Sequence, residues 1–296
     1  LRHRIEAASV DAEHRDPDEA AQPPQATEPA KRLAGEAVRR WYATRDLKNR
    51  LASFLVNNIR REEWCKQKLG QRKWKLYKVL PLLLSSEAFD KAMGLHPAAP
   101  PCRLSNFTPD YTTLRIAQQL FPDETNWLER SDEAVTIDAL FTIGSVGTVA
   151  QNEASDLDYW VCASLENLAE TDRDELARKL EMLTKWSDEQ FGLEAYFFLM
   201  DNEDIRRNNF GFSDKESSGS AQAMMLKEEF YRTAVLSAGK YPVWWVAPPG
   251  AGRKTYDNVS EQASRLLGDD RIVDLGPVAA IPPEELFGAA LWQIVK

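Results

Sequence analysis

An α+β fold, a small mixed sheet flanked by helices, is predicted by three observations. Short apolar runs at 140–143, 157–162 and 193–200 have strand length and are rich in aromatic and aliphatic residues. Between the second and third runs, 171–191 places Leu176, Leu180, Leu183 and Trp186 at helical spacing. No glycine-rich dinucleotide fingerprint occurs, which argues against a Rossmann arrangement.

Taken in order, residues 1–30 are dominated by Ala, Glu, Asp, Pro and Gln, with too few large apolar side chains to form a core, and read as a disordered tail. Residues 31–125 form a mainly helical region. Within it, 31–78 carries fifteen Lys and Arg against four acids, a local charge of +11 in a chain of −9 overall. Trp41, Tyr42, Phe54, Trp64, Trp74 and Tyr77 are interleaved with those charges. An anionic partner is one reading; the favoured one is a pair of amphipathic helices with solvated basic faces. A Pro-rich connection at 96–102 and a helix at 111–120 follow.

Residues 126–296 carry the chemistry and end inside what reads as a helix. The order is strand, turn, strand, long helix, strand. Thr171 with Asp174 can cap the long helix and Gly192 can end it. Downstream, 217–220 (SSGS) reads as a loop before a helix over 222–238, and Trp244, Trp245 and the Trp292 segment read as core.

The stretch FTIGSVGTVAQNEASDLDYWVC, residues 141–162, holds the most informative pattern. Successive strand side chains alternate between faces, so Asp156 and Asp158 project together while Leu157 points to the core. Two carboxylates on one face can share hard divalent cations, which take oxygen ligands together with substrate phosphates. Gly144 and Ser145 follow a strand, where a glycine lets backbone approach a phosphate and a serine hydroxyl can bind its oxygens.

This Gly-Ser, with an acidic pair some ten residues later on a second strand, resembles the polymerase-beta-like nucleotidyltransferase superfamily. The superfamily has a third carboxylate on a later strand; Glu194 is the candidate, with Asp201 the weaker alternative. The strings SDLDYWVC from Ser155, EFYRTAV from Glu229, AGK from Ala238 and FGAALWQ from Phe287 are similar to the class I adenylate cyclases of bacteria. The likeness runs from about Leu76 onward. Gly147 and Ala150 depart from the family pattern in the loop after Gly-Ser, and Ala223 and Met224 replace a more polar pair.

The resemblance implies cyclisation of ATP to 3′,5′-cyclic AMP and pyrophosphate, by a catalytic domain at the N-terminal end of a longer cytoplasmic protein. It implies Mg²⁺ or Mn²⁺, two ions held by Asp156, Asp158 and Glu194, with in-line attack of the ribose 3′-oxygen on the α-phosphorus. Gly144, Ser145, Ser155, Arg206, Arg232 and Lys240 are the ATP and phosphate candidates; for Arg232 an ordinary helix pair with Glu228 competes. Transfer of AMP to a separate acceptor, or a non-catalytic nucleotide-binding regulatory domain, are the alternatives. A regulatory partner is expected to act through a region beyond Lys296.

Composition agrees. At 296 residues and 43% hydrophobic the chain can bury a substantial core. Its acidity argues against a dedicated nucleic-acid binder. Cys65, Cys102 and Cys162 lack metal-ligand spacing and read as buried thiols of a reducing cytosol. No apolar run reaches membrane-spanning length. His3, His14 and His96 lie outside the expected core, so no histidine base is expected.

Overall fold

The computed structural model describes residues 28–95, 102–124, 126–127, 135–153, 155–210 and 219–278. The chain divides into two compact units, Leu1–Arg45 and Asp46–Lys296. Of the first unit, 28–45 is described and is helical, the opening part of α1 (Glu28–Leu84). The expected tail lies outside the described residues apart from 28–30. A break at Gly70, with φ 71° and ψ 174°, divides α1 into two helical pieces, in keeping with the expected pair.

In the second unit, α1 is followed by α2 (Glu87–Ala92), β1 (Cys102–Leu104), α3 (Tyr111–Leu120), β2 (Val135–Ile143) and β3 (Leu157–Ala163). Then come α4 (Glu170–Phe191), β4 (Ala195–Asp201), α5 (Asn202–Arg207), α6 (Gly219–Thr233) and β5 (Val235–Gly239). The pair β6 (Tyr241–Pro242) and β7 (Ile272–Val273) brackets α7 (Arg253–Leu267).

The five-stranded sheet is mixed: β1, β2, β3 and β4 lie in that order, and β5 pairs with β2 on the side that β1 also uses. β2 runs antiparallel to β3 and to β5, whereas β3 and β4 are parallel. Alternation along β3 assigns the two cores. Leu157, Tyr159 and Val161 face a layer with Leu176, Leu180 and Leu183 of α4 and Leu76, Leu80 and Leu83 of α1. Trp160 and Cys162 face Phe230 and Tyr231 of α6, and Trp160 stacks on Phe230 at 4.4 Å between ring centroids. Each such buried side chain contributes about 1.5–3 kcal/mol.

Three expectations change. The helix over 222–238 stops at Thr233, and its last four residues, 235–238, belong to β5, because a central strand such as β2 needs partners for its backbone groups on both edges. There Gly239 lies so close to β2 that a Cβ would sit 2.5 Å from the Ala139 Cα, giving the AGK string a packing reason. Second, α4 starts after Ala169 with no side-chain cap, so Thr171 and Asp174 do not cap it; Gly192 does end it. Third, 217–218 lies outside the described residues while Gly219 and Ser220 already begin α6. The FGAALWQ string, the Trp292 segment and the 96–101 connection also lie outside the described residues. Trp245 is buried and stacks on Phe54, as expected of core. Cys65, Cys102 and Cys162 are buried free thiols. Among the described residues no helix is long and apolar enough to cross a membrane.

Candidate active site at the acidic end of the sheet

Strand register brings the acids and the Gly-Ser turn together. Asp158 pairs with Ile143, the last residue of β2, and Gly144 and Ser145 follow directly. On the other side of β3, Leu157 pairs with Ala195 and Asp158 with Tyr196, and the Leu157 N–H donates to the Glu194 carbonyl at 2.9 Å. Asp156 and Glu194 are therefore side by side where these two parallel strands begin. The Tyr196 hydroxyl donates to Glu194 Oε2 at 2.7 Å.

Electrostatics record the same proximity. Burial, and then the negative charge of Asp156, push the Asp158 carboxyl above the ordinary aspartate value. The Tyr196 phenol is raised first by its bond to Glu194, with the charges of Asp156 and Asp158 also acting on it. Among the described residues no Lys or Arg lies within ion-pair distance of Asp156, Asp158 or Glu194. Two carboxylates that oppose each other and lack a cation suit a hard divalent ion. Among the described residues, however, no three His, Cys, Asp or Glu side chains are gathered as a ready metal cage. Asp156 and Asp158 fit the role of shared ligands; Glu194, engaged by Tyr196, would have to turn to join them.

The described part of the loop after Gly144 is held by its own polar groups and by Thr233 of α6. Ser145 Oγ and Ser155 Oγ are 3.3 Å apart, and Ser155 Oγ accepts from the Asn152 N–H. The Gly144 N–H donates to Thr233 Oγ1, and the Gly147 N–H to Gln151 Oε1. Gly147 has φ 65°, and a Cβ there would lie 2.8 Å from the Arg61 carbonyl oxygen. A side chain of any kind at this position would therefore meet the Arg61 backbone.

The basic candidates are placed elsewhere. Lys240 Nζ is 2.8 Å from Asp138 Oδ1, beyond the far end of β5 from the acids. Arg206 lies among Glu203, Asp257 and Asp274 at 3.6–3.9 Å. Arg232 pairs with Glu228, the ordinary helix pair, although it adjoins Thr233, which touches the loop. Asp201 caps α5 by accepting from Glu203 and Asp204 N–H and also receives the Leu165 N–H, so it is spent on structure at the opposite end of β4. The sequence reading missed Arg61, Gln151 and Thr233. A signal existed for the first: Leu47, Leu51, Phe54, Asn58, Arg61, Cys65 and Leu69 recur every three or four residues, and Arg61 stands in that otherwise largely apolar stripe.

Residues 46–245 match the family described as "Adenylate cyclase NT domain". The chain is similar to adenylate cyclases of Yersinia intermedia (33% identical over 241 residues), Salmonella typhimurium (32% over 243) and Escherichia coli K12 (32% over 238). Each alignment covers 77% of this chain and 27% of the relative, so the chain spans about a quarter of their length. No solved structure matches it.

Proposed function

The chain belongs to the adenylate cyclase N-terminal domain family, and on that premise we propose that it is a catalytic region forming 3′,5′-cyclic AMP and pyrophosphate from ATP, built on a polymerase-beta-like nucleotidyltransferase core. The observation that carries this reading is the uncompensated carboxylate pair, Asp156 and Asp158, at the strand ends facing the Gly144–Ser145 turn.

In the reaction, the ribose 3′-hydroxyl loses its proton, its oxygen bonds to the α-phosphorus, and the bond from that phosphorus to the β-phosphate bridge breaks to release pyrophosphate. Mg²⁺ or Mn²⁺ held by Asp156 and Asp158 would neutralise phosphate charge and acidify the attacking hydroxyl. Glu194 completes the acidic set and is the group to accept the 3′-proton. The hydroxyls of Ser145 and Ser155 orient the triphosphate from the loop. Arg232 is the basic residue retained for the departing pyrophosphate, by exchanging Glu228 for phosphate oxygens.

Incubating the purified chain with ATP and Mg²⁺ or Mn²⁺, and separating the nucleotides, tests this reading. Cyclic AMP from the parent and none from Asp156→Asn or Asp158→Asn is the expected result. A linear adenylylated product formed only with an added acceptor would replace cyclisation by transfer, and metal-dependent ATP binding without turnover would favour a non-catalytic domain.

A further inference from the structure

The basic helix α1 does not simply expose its charges. Asn58, Arg61 and Cys65 lie at i, i+3 and i+7, one face of a helix, and all three reach β5 or the loop after Gly-Ser. Asn58 accepts the Leu236 N–H and donates to the Leu236 carbonyl, at 2.8 and 2.9 Å. Cys65 Sγ accepts from Gln151 Nε2 at 3.6 Å. Arg61 Nε donates to the Gly147 carbonyl at 3.2 Å, Nη2 to that of Val146 at 2.8 Å, and Nη1 to that of Ala234 at 2.9 Å. Its Nη2 also reaches the Thr233 carbonyl.

From this geometry we propose that Arg61 is a positioning residue for the triphosphate, fastening the 144–151 loop to the end of α6 so that Ser145 is held in place before substrate arrives. The inference rests on the proposed ATP chemistry of that loop. Among the described residues no carboxylate lies within ion-pair distance of Arg61; its charge faces carbonyl oxygens that belong to two separate segments. Thr233 links the two again, since its hydroxyl accepts the Gly144 N–H. A guanidinium presents a planar fork of five donors spread over three nitrogens, able to reach carbonyls of two segments together, whereas the three donors of a lysine all radiate from one nitrogen. Gly147 completes the fit, because any side chain there would collide with the backbone of Arg61 itself. A loop left loose must be ordered by the substrate, and that cost falls on binding.

The test measures cyclic AMP formation against MgATP concentration, equilibrium MgATP affinity and thermal unfolding for the parent, Arg61→Lys, Arg61→Ala and a stability control. The control is Leu183→Ala, which empties a buried site in α4, an element that makes none of the hydrogen bonds holding the loop. Arg61→Lys is expected to raise KM at least tenfold with kcat within about threefold, and to weaken MgATP binding to match. Methylguanidinium added to Arg61→Ala should restore part of the KM, while Leu183→Ala should lose stability with KM unchanged. An unchanged KM in Arg61→Lys, or an equal rise in Leu183→Ala, overturns the inference while leaving the cyclase reading intact. If the parent forms no cyclic AMP, the cyclase reading fails and MgATP affinity alone decides about Arg61: equal affinity in parent and Arg61→Lys overturns the proposal, and a parent that binds no MgATP overturns both.

Discussion

The two ends of the central sheet hold carboxylates in opposite electrostatic states. At one end Asp156 and Asp158 oppose each other beside Glu194 at the start of β4, with no Lys or Arg within ion-pair distance among the described residues, and Asp158 is pushed upward by burial and by Asp156. At the other, Asp138 has Lys240 at 2.8 Å and the Asn202 amide at 2.6 Å, and Asp201 accepts three backbone N–H groups. The same residue type, within a few residues on neighbouring strands, is neutralised where it holds the fold and left opposed where the family resemblance places chemistry. Retained repulsion is a cost to folding, and a bound cation would relieve it.

The sharpest way to break the contrast is Asp158→Asn. Cyclic AMP formation should fall about a thousandfold, roughly 4 kcal/mol of transition-state stabilisation, while the unfolding temperature holds or rises because a repulsion has been removed. Lost activity together with lost stability would put Asp158 among the structural acids instead.

Lys227 of α6 tests burial against pairing. Its ammonium donates to the carbonyls of Ile205 and Arg206, with Asp274 and the Arg206 guanidinium as the charges acting on it. Burial pulls its pKa down to about 8 from 10.5. Below about pH 8 both folded and unfolded chains carry the charge and the full cost of burying it applies. Between the two values the unfolded chain holds the extra proton, so stability should rise with pH, by an amount on the order of 3 kcal/mol in all. Urea unfolding across that window should show this slope in the parent and a flatter profile in Lys227→Met.

Lys240→Met should cost about 2 kcal/mol, less than a fully buried pair because both groups keep some exposure, and should leave the KM for ATP unchanged. A higher KM would join the two ends functionally. The smallest effect is expected from Tyr196→Phe, which frees Glu194: a twofold to fivefold change in turnover, about 1 kcal/mol or less, with no change in melting temperature. A thousandfold loss there would make the phenol itself part of the chemistry.

Much of this architecture is legible in the amino-acid order alone. Asp156 and Asp158 share a face because alternation along a strand is local, and the long helix can be read from Leu176, Leu180, Leu183 and Trp186 for the same kind of reason. What cannot be read depends on partners far away in the chain. Nothing in EFYRTAVLSAGK says that its second half leaves the helix, since that switch is decided by the edge of β2. Arg206 and Lys240 resemble phosphate ligands in the sequence because arginine and lysine serve phosphates and carboxylates alike; only the placement of Asp138 and Asp274 shows which they meet here.

By itself, then, the sequence determined the periodic elements of the sheet and its helices, the paired acids and the Gly-Ser turn, all properties of segments shorter than about twenty-five residues. The tertiary structure decided which charges are paired. It set Lys240 against Asp138 and Arg61 against carbonyls 85 to 173 residues away. The physical reason is that a side chain's charge is set by its type, whereas the group that satisfies it is set by how distant segments pack.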